Sequence, residues 1–205
     1  MRINCENTGK RFHRDWIFRN INFEFKPNHA YAITGPNGSG KSTFLQVLAG
    51  ALISSSGKLT YYLNDTSLAE DQVFRHISIA APYLELIEEM TLTELMQFHR
   101  RFKPFLPGLT IKEIIAITGL SEASGKQIRY FSSGMKQRAK LALAIFSNSD
   151  CLLLDEPCSN FDEAGYQLYH ELISTYGKNR LIIVSSNDEK EYAFCSSVIS
   201  ILDYK

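Results

Sequence analysis

Nine consecutive residues constrain this chain more than any other stretch: Gly35, Pro36, Asn37, Gly38, Ser39, Gly40, Lys41, Ser42 and Thr43. They fit the pattern G-x-x-x-x-G-K-[ST], and they stand in the context that gives the pattern chemical meaning. Ala30 to Thr34 (AYAIT) is a short, nearly continuous apolar run of the kind a buried central strand shows. Ser42 to Gly50 carries Phe44, Leu45, Val47 and Leu48 at helical spacing and stops at a glycine. Strand, glycine loop and helix in direct succession commit the chain to an α/β sheet with a loop that closes around an anion. The glycines let successive backbone N–H groups turn inward, and the helix start adds partial positive charge where phosphates would sit. Lys41 is suited to neutralise β and γ phosphates, and the Ser42 hydroxyl to take one position on Mg²⁺. The loop is therefore expected to bind a nucleotide.

The rest of the chain reads as further strands and helices. Ile21 to Phe25 alternates apolar and polar, and Lys26 to His29 reads as a turn. Leu59 to Leu63 is a strand closed by Asn64 and Asp65, and Ile77 to Ala81 is another. From Thr91 to about Thr118 the pattern turns helical, interrupted by Pro104, Pro107 and Gly108. Ser133 to Phe146 forms an amphipathic helix, Cys151 to Leu154 a buried strand, Glu163 to Tyr176 a helix, Leu181 to Ser185 a strand and Val198 to Leu202 a last short strand. Strands alternating with helices predict a mostly parallel α/β sheet with a helical insert. A chain of 205 residues has room for one domain, residues 1–205, with a helical subdomain at about 83–140.

Composition removes several function classes. Lys and Arg number 22 and Asp and Glu 22, a net charge of zero, whereas a domain that holds nucleic acid by its phosphates carries a basic excess. No apolar window reaches the roughly 18 to 20 residues a spanning helix needs, and the start of the sequence lacks the apolar core of a leader. A cytosolic protein is expected. Cys5, Cys151, Cys158 and Cys195 show no C-x-x-C spacing and read as reduced thiols. His99, with Arg100 and Arg101, reads as part of a solvated helix face, and His13, His29, His76 and His170 have no ligand spacing.

The second chemical signal is Leu152-Leu153-Leu154-Asp155-Glu156-Pro157. A buried strand delivers carboxylates at its C-terminal end, the edge where open α/β sheets bind ligands. Asp155 is the expected Mg²⁺ partner, and Glu156 is placed to polarise an attacking water, which points to hydrolysis rather than binding alone. The third is Phe131-Ser132-Ser133-Gly134-Met135-Lys136-Gln137-Arg138, just before that strand.

With these segments in this order, the sequence resembles the ATP-binding subunits of ABC transporters, whose signature reads L-S-G-G-Q and is followed by a basic, Gln-containing helix. The resemblance spans essentially the whole chain. It implies a P-loop NTPase core, mostly parallel with an antiparallel β edge, and a helical subdomain inserted between the P-loop and the Walker B strand. It implies ATP and Mg²⁺ as ligands, and Ser132, Ser133 and Gly134 acting on the γ-phosphate held by a second copy in a head-to-tail dimer. Phe12 stands where the family stacks an aromatic on adenine, with Trp16 as competitor, and Asp162 in Ser159-Asn160-Phe161-Asp162 matches the D-loop near the subunit interface. The implied partner is an integral membrane transporter subunit, with this chain peripheral on the inner face of the membrane.

Two positions depart from the family pattern. Pro82 stands where the family has a glutamine that touches Mg²⁺ or the water and relays motion to the membrane subunit, and Asn187 replaces the switch histidine. Asparagine can still donate to a γ-phosphate but cannot share a proton at neutral pH, so slow hydrolysis is expected. The competing reading is a nucleotide-gated binding cassette with little or no hydrolysis. DNA-repair and chromosome-structure ATPases with the same motifs need long heptad arms between the P-loop and Asp155, and the chain has none.

Overall fold

A computed structural model describes all 205 residues. The chain divides into two units, Met1–Ile79 with Ser149–Glu156 and Asn179–Lys205, and Ala80–Asn148 with Pro157–Lys178.

The first unit holds two sheets. The first sheet is formed by β1 (Arg2–Phe12), β2 (Asp15–Phe25), β4 (Ser56–Leu63) and β5 (Thr66–Leu68) in the order β2-β1-β4-β5, antiparallel throughout. The β4–β5 turn puts Asn64 and Asp65 both at positive φ, 48° and 61°, the backbone that matches strand twist in a two-residue hairpin. β1 escaped the sequence reading because its alternation breaks at Asn7, where φ is 48° and the pairing with β2 and β4 shifts register. β2 also begins earlier than Ile21, since the β1 partner extends it back to Asp15.

The second sheet runs in the order β6-β7-β8-β3-β9, from β6 (Ile77–Ala80), β7 (Cys151–Asp155), β8 (Leu181–Ser185), β3 (Ala30–Thr34) and β9 (Ser197–Ser200). β7 pairs with β8, β8 with β3 and β3 with β9, all in parallel. β7 and β8 are buried at every residue, which is why they read as continuous apolar runs. The last strand ends at Ser200 rather than Leu202, because the Ser200 hydroxyl accepts the Leu202 N–H and starts a 3₁₀ turn over Ile201–Tyr204.

Helix α1 (Lys41–Leu48) buries Phe44, Leu45, Val47 and Leu48, and the core of this unit grows around it. Phe44 packs edge-on to Phe18 with ring centres 5.1 Å apart and lies 6.2 Å from Phe25. Phe25 in turn meets Tyr31 at 5.1 Å. Such aromatic pairs add specificity of geometry to apolar burial. The short helices α2 (Val73–His76) and α7 (Glu189–Tyr192) complete the unit.

The second unit is helical: α3 (Leu92–Phe102), α4 (Ile111–Ile117), α5 (Ser133–Ile145) and α6 (Glu163–Tyr176). The two apolar runs on either side of Pro104, Pro107 and Gly108 form two helices, each started by a capping box, Thr91 with Glu94 and Thr110 with Glu113. His99 is not on a solvated face. Its ring stacks on Phe105 at 5.6 Å, and Nε2 lies 2.8 Å from the Ser147 hydroxyl. That hydroxyl donates its one proton to the Leu143 carbonyl, so His99 donates through Nε2. Burial pushes its pKa down from 6.5 to about 4. Arg100 and Arg101 remain exposed.

All four cysteines are free, and burial raises Cys5, Cys151 and Cys195 to about 12, far from a reactive thiolate. No helix is long and apolar enough to cross a membrane.

Candidate nucleotide site

The glycine loop joins the C-terminal end of β3 to α1, and its backbone leaves no choice of residue at two points. Gly35 (φ 145°) and Gly40 (φ 101°) occupy the left-handed half of conformational space, and a side chain at either would collide with a neighbour, Ile201 at Gly35 and Ile17 at Gly40. Lys41 is 4% exposed and folds back over the loop, donating to the Gly35 carbonyl at 2.7 Å and reaching the Pro36 carbonyl at 3.4 Å. These carbonyls hold a side chain that a triphosphate would compete for.

Strand order assembles the rest. β8 lies between β3 and β7, and the pairings Ile33 with Ser185 and Ser185 with Asp155 set the three strand ends level. Neighbouring strands sit about 4.8 Å apart, so Asp155 comes within about 10 Å of the loop although 112 to 120 residues separate them in sequence. A cleft of about 200 Å³ opens there, lined by Ile17, Asn37, Gly38, Gly40, Lys41, Ser42, Thr43 and Glu156.

Asp155 is 1% exposed, and neither carboxylate oxygen closes a hydrogen bond of good geometry. Burial raises its pKa above the usual 3.8, and the Glu156 charge adds to this, while the Ser42 and Ser185 hydroxyls and the Lys41 ammonium work against it. A buried carboxylate without firm partners, beside a serine hydroxyl, is a hard-oxygen donor set. It fits Mg²⁺, which takes one or two protein oxygens and fills its octahedron with phosphate and water. Glu156 sits at φ 44°, a strained value for a residue with a side chain, and its N–H is held by the Ser185 carbonyl at 2.8 Å. Asn187, just beyond β8, donates from Nδ2 to Asn37 Oδ1 at 3.0 Å and so reaches the loop.

Other expected residues are placed elsewhere. Phe12 does not line the cleft. It lies at the tip of the β1–β2 hairpin, 44% exposed, with the Lys10 ammonium 5.2 Å from its ring centre. Trp16 is likewise on that hairpin, under the Arg11 guanidinium. The β2 residue that reaches the cleft is Ile17, which sequence reasoning missed because only its contact with Gly40 marks it. In the helical unit Ser132 caps α5, accepting the Met135 N–H at 3.3 Å; Ser133 opens the helix, and a side chain at Gly134 would come within 3.5 Å of the Asn160 carbonyl. Asp162 caps α6 by accepting the Gly165 N–H at 2.8 Å. Pro82 is exposed, and its carbonyl accepts from Lys140 at 2.7 Å.

The comparisons with known proteins agree with this geometry. The ABC transporter family matches residues 18–159. An uncharacterized ABC transporter ATP-binding protein, YybJ of Bacillus subtilis (strain 168), is 28% identical over 202 residues, covering 98% of this chain and 89% of that protein. The cytochrome c biogenesis ATP-binding export protein CcmA of Xylella fastidiosa is 31% identical over 156 residues, 76% of this chain and 72% of that one. Among solved structures, the ATP-binding cassette MJ0796, a dimer in a post-hydrolysis state bound to ADP and Pi, superposes with a TM-score of 0.80 at 20% identity, over 97% of this chain and 93% of that one. The loop, the carboxylates at the end of β7 and the family match lead to one statement: the chain belongs to the ABC transporter family, as an ATP-binding ATPase subunit.

Proposed function

We propose that this chain, a single cassette domain, binds ATP with Mg²⁺ in the cleft above β3, β8 and β7. Two copies would close head to tail around two nucleotides, and closure would drive a separate membrane-spanning partner at the inner face of the membrane. The observation that carries the reading is the convergence of three strand ends: the glycine loop after β3, Asp155 and Glu156 at the end of β7, and Asn187 after β8, bonded to Asn37 of the loop.

Each residue has a task that follows from its chemistry. The N–H groups of residues 38–43 and the Lys41 ammonium cradle the phosphates. Ser42 and Asp155 would hold Mg²⁺, which when bound neutralises phosphate charge. Glu156 accepts a proton from the attacking water, and its strained backbone fixes the direction of the carboxylate. Asn187 donates to the γ-phosphate in place of Asn37. Positioning and charge account for most of the rate in phosphoryl transfer, so hydrolysis proceeds without a proton-sharing group at Asn187, but slowly.

Ser132, Ser133 and Gly134 at the start of α5, with Asp162 at the start of α6, complete the site of the second copy, since N–H groups at a helix start form an anion cradle. MJ0796 was solved as a dimer, which supports a pairing of two cassettes. Phe12 would flank adenine at the rim. Pro82 lines a groove of about 650 Å³ with Glu85, Glu88, Glu89, Lys136 and Lys140, an open surface suited to a membrane partner.

The test is ATP turnover by the purified chain against Glu156→Gln. Turnover in wild type that is lost in the variant supports the motor reading. Equal inactivity of both, even with the membrane partner present, would favour the nucleotide-gated binding cassette that Pro82 and Asn187 suggest.

A further inference from the structure

The side chain of Lys205 grips the nucleotide loop from outside the cleft. Its ammonium donates to the Ser39 carbonyl at 2.6 Å and to the Ile17 carbonyl at 2.8 Å. Arg19 Nε reaches the Lys205 carbonyl at 3.4 Å, which holds the segment against β2. Four residues earlier, Ile201 is fully buried and fills the space where a side chain on Gly35 would stand. The turn after β9 thus braces the loop at both ends, with Ile201 under its first glycine and Lys205 on its fifth residue.

The contact has an electrical consequence. The Ser39 carbonyl and the Gly40 N–H belong to one planar trans peptide and point in opposite directions. A cation on the oxygen polarises the whole unit and makes the N–H a stronger donor. Gly40 lines the cleft, and its N–H donates to no other group of the chain. Lys41 grips the Gly35 and Pro36 carbonyls, so Lys205 supplies the matching grip at the other end of the loop.

We propose that Lys205 is a positioning residue for nucleotide phosphate: it fixes the Ser39–Gly40 peptide and strengthens its N–H without touching the ligand. The inference rests on the reading that this loop binds ATP. It predicts uniform binding, equal for ADP and ATP and equal in ground and transition states, so KM rises while kcat holds.

The experiment titrates MgATP and MgADP into wild type, Lys205→Met, Lys205→Gln and Lys205→Arg, with Lys41→Ala as the control for the loop itself. Each protein is also melted without nucleotide. Lys205→Met and Lys205→Gln should weaken both nucleotides about three- to tenfold, the size of one partly exposed charge-assisted contact. KM for ATP should rise by the same factor with kcat within about twofold, and Lys205→Arg should restore most of the affinity. Wild-type affinity in Lys205→Met, or a lower melting temperature with unchanged affinity of the folded protein, overturns the proposal while leaving the loop reading intact. Loss of affinity that Lys205→Arg does not restore also overturns it. If wild type binds neither nucleotide, and so equals Lys41→Ala, the loop reading fails and this proposal falls with it.

Discussion

Asn187 donates from its side-chain amide to the side-chain oxygen of Asn37 at 3.0 Å, tying the end of β8 to the third residue of the glycine loop. Neither partner can ionise, so this tie between switch and loop holds its strength across the physiological pH range. A γ-phosphate is a charged acceptor and would outcompete the neutral amide oxygen for the same donor.

Asn187→Ala should therefore lower kcat for ATP about a hundred- to a thousandfold, as loss of one donor to developing charge does, with little change in KM. Wild-type kcat should show no step near pH 6.5, whereas Asn187→His should introduce one, because imidazole titrates there. Rate–pH profiles of the two proteins check both statements, and a step near pH 6.5 in wild type would remove Asn187 from the switch role.

Glu156→Gln keeps the shape of the side chain and removes its basicity. We expect kcat to fall about 10²- to 10⁴-fold while nucleotide affinity stays within about threefold. In saturating ATP and Mg²⁺ the variant should sediment as a dimer. A strictly monomeric Glu156→Gln would count against closure around two nucleotides.

Asp155 places function against stability. Its folded pKa is raised by burial, so its contribution to stability is fully present at low pH and is lost as pH rises through the folded value. At neutral pH the buried anion is a liability. Asp155→Asn leaves a polar group in place but removes the buried charge, so the nucleotide-free protein should gain about 1 to 3 kcal/mol at pH 7, the extra cost of burying a charged rather than a neutral group. The gain should shrink toward pH 4, and Mg²⁺-dependent turnover should be lost. Chemical denaturation at the two pH values measures the first effect.

His99 predicts acid lability of the helical unit. A buried base whose pKa falls from 6.5 to about 4 contributes stability that is complete above pH 6.5 and is lost as pH drops toward 4. His99→Gln, which keeps a donor for the Ser147 hydroxyl, should flatten that part of the stability–pH curve. Melting curves between pH 4 and 7 test it; an unchanged acid limb in the variant would assign the lability to other groups.

The loop from Gly35 to Thr43 could be read from the chain because its conformation is local. Glycines at positive φ, a lysine and a helix start act within nine residues, and no distant contact is needed to recognise them. The same holds for Asp155 and Glu156 at the end of an all-apolar strand, and for α6 and β8, whose limits at Glu163–Tyr176 and Leu181–Ser185 agree with the periodicity.

Other features depend on partners far away in sequence. β1 is a strand because β2 and β4 pair with it across bulges that erase its alternation. His99 is neutral and half-buried because Ser147 and Phe105 close on it, not because of its neighbours on α3. Ile17 and Lys205 carry no motif; Ile17 meets Gly40 from β2, and Lys205 reaches the loop because the turn after β9 packs beside β2. The order β7-β8-β3 brings the carboxylates to the glycine loop, and strand order is set by long-range hydrogen bonding and burial that a one-dimensional pattern does not encode. Local backbone geometry fixes a phosphate loop, so the order of residues is enough to name the groups that can do the chemistry; the non-local pairing of strands sets where those groups meet.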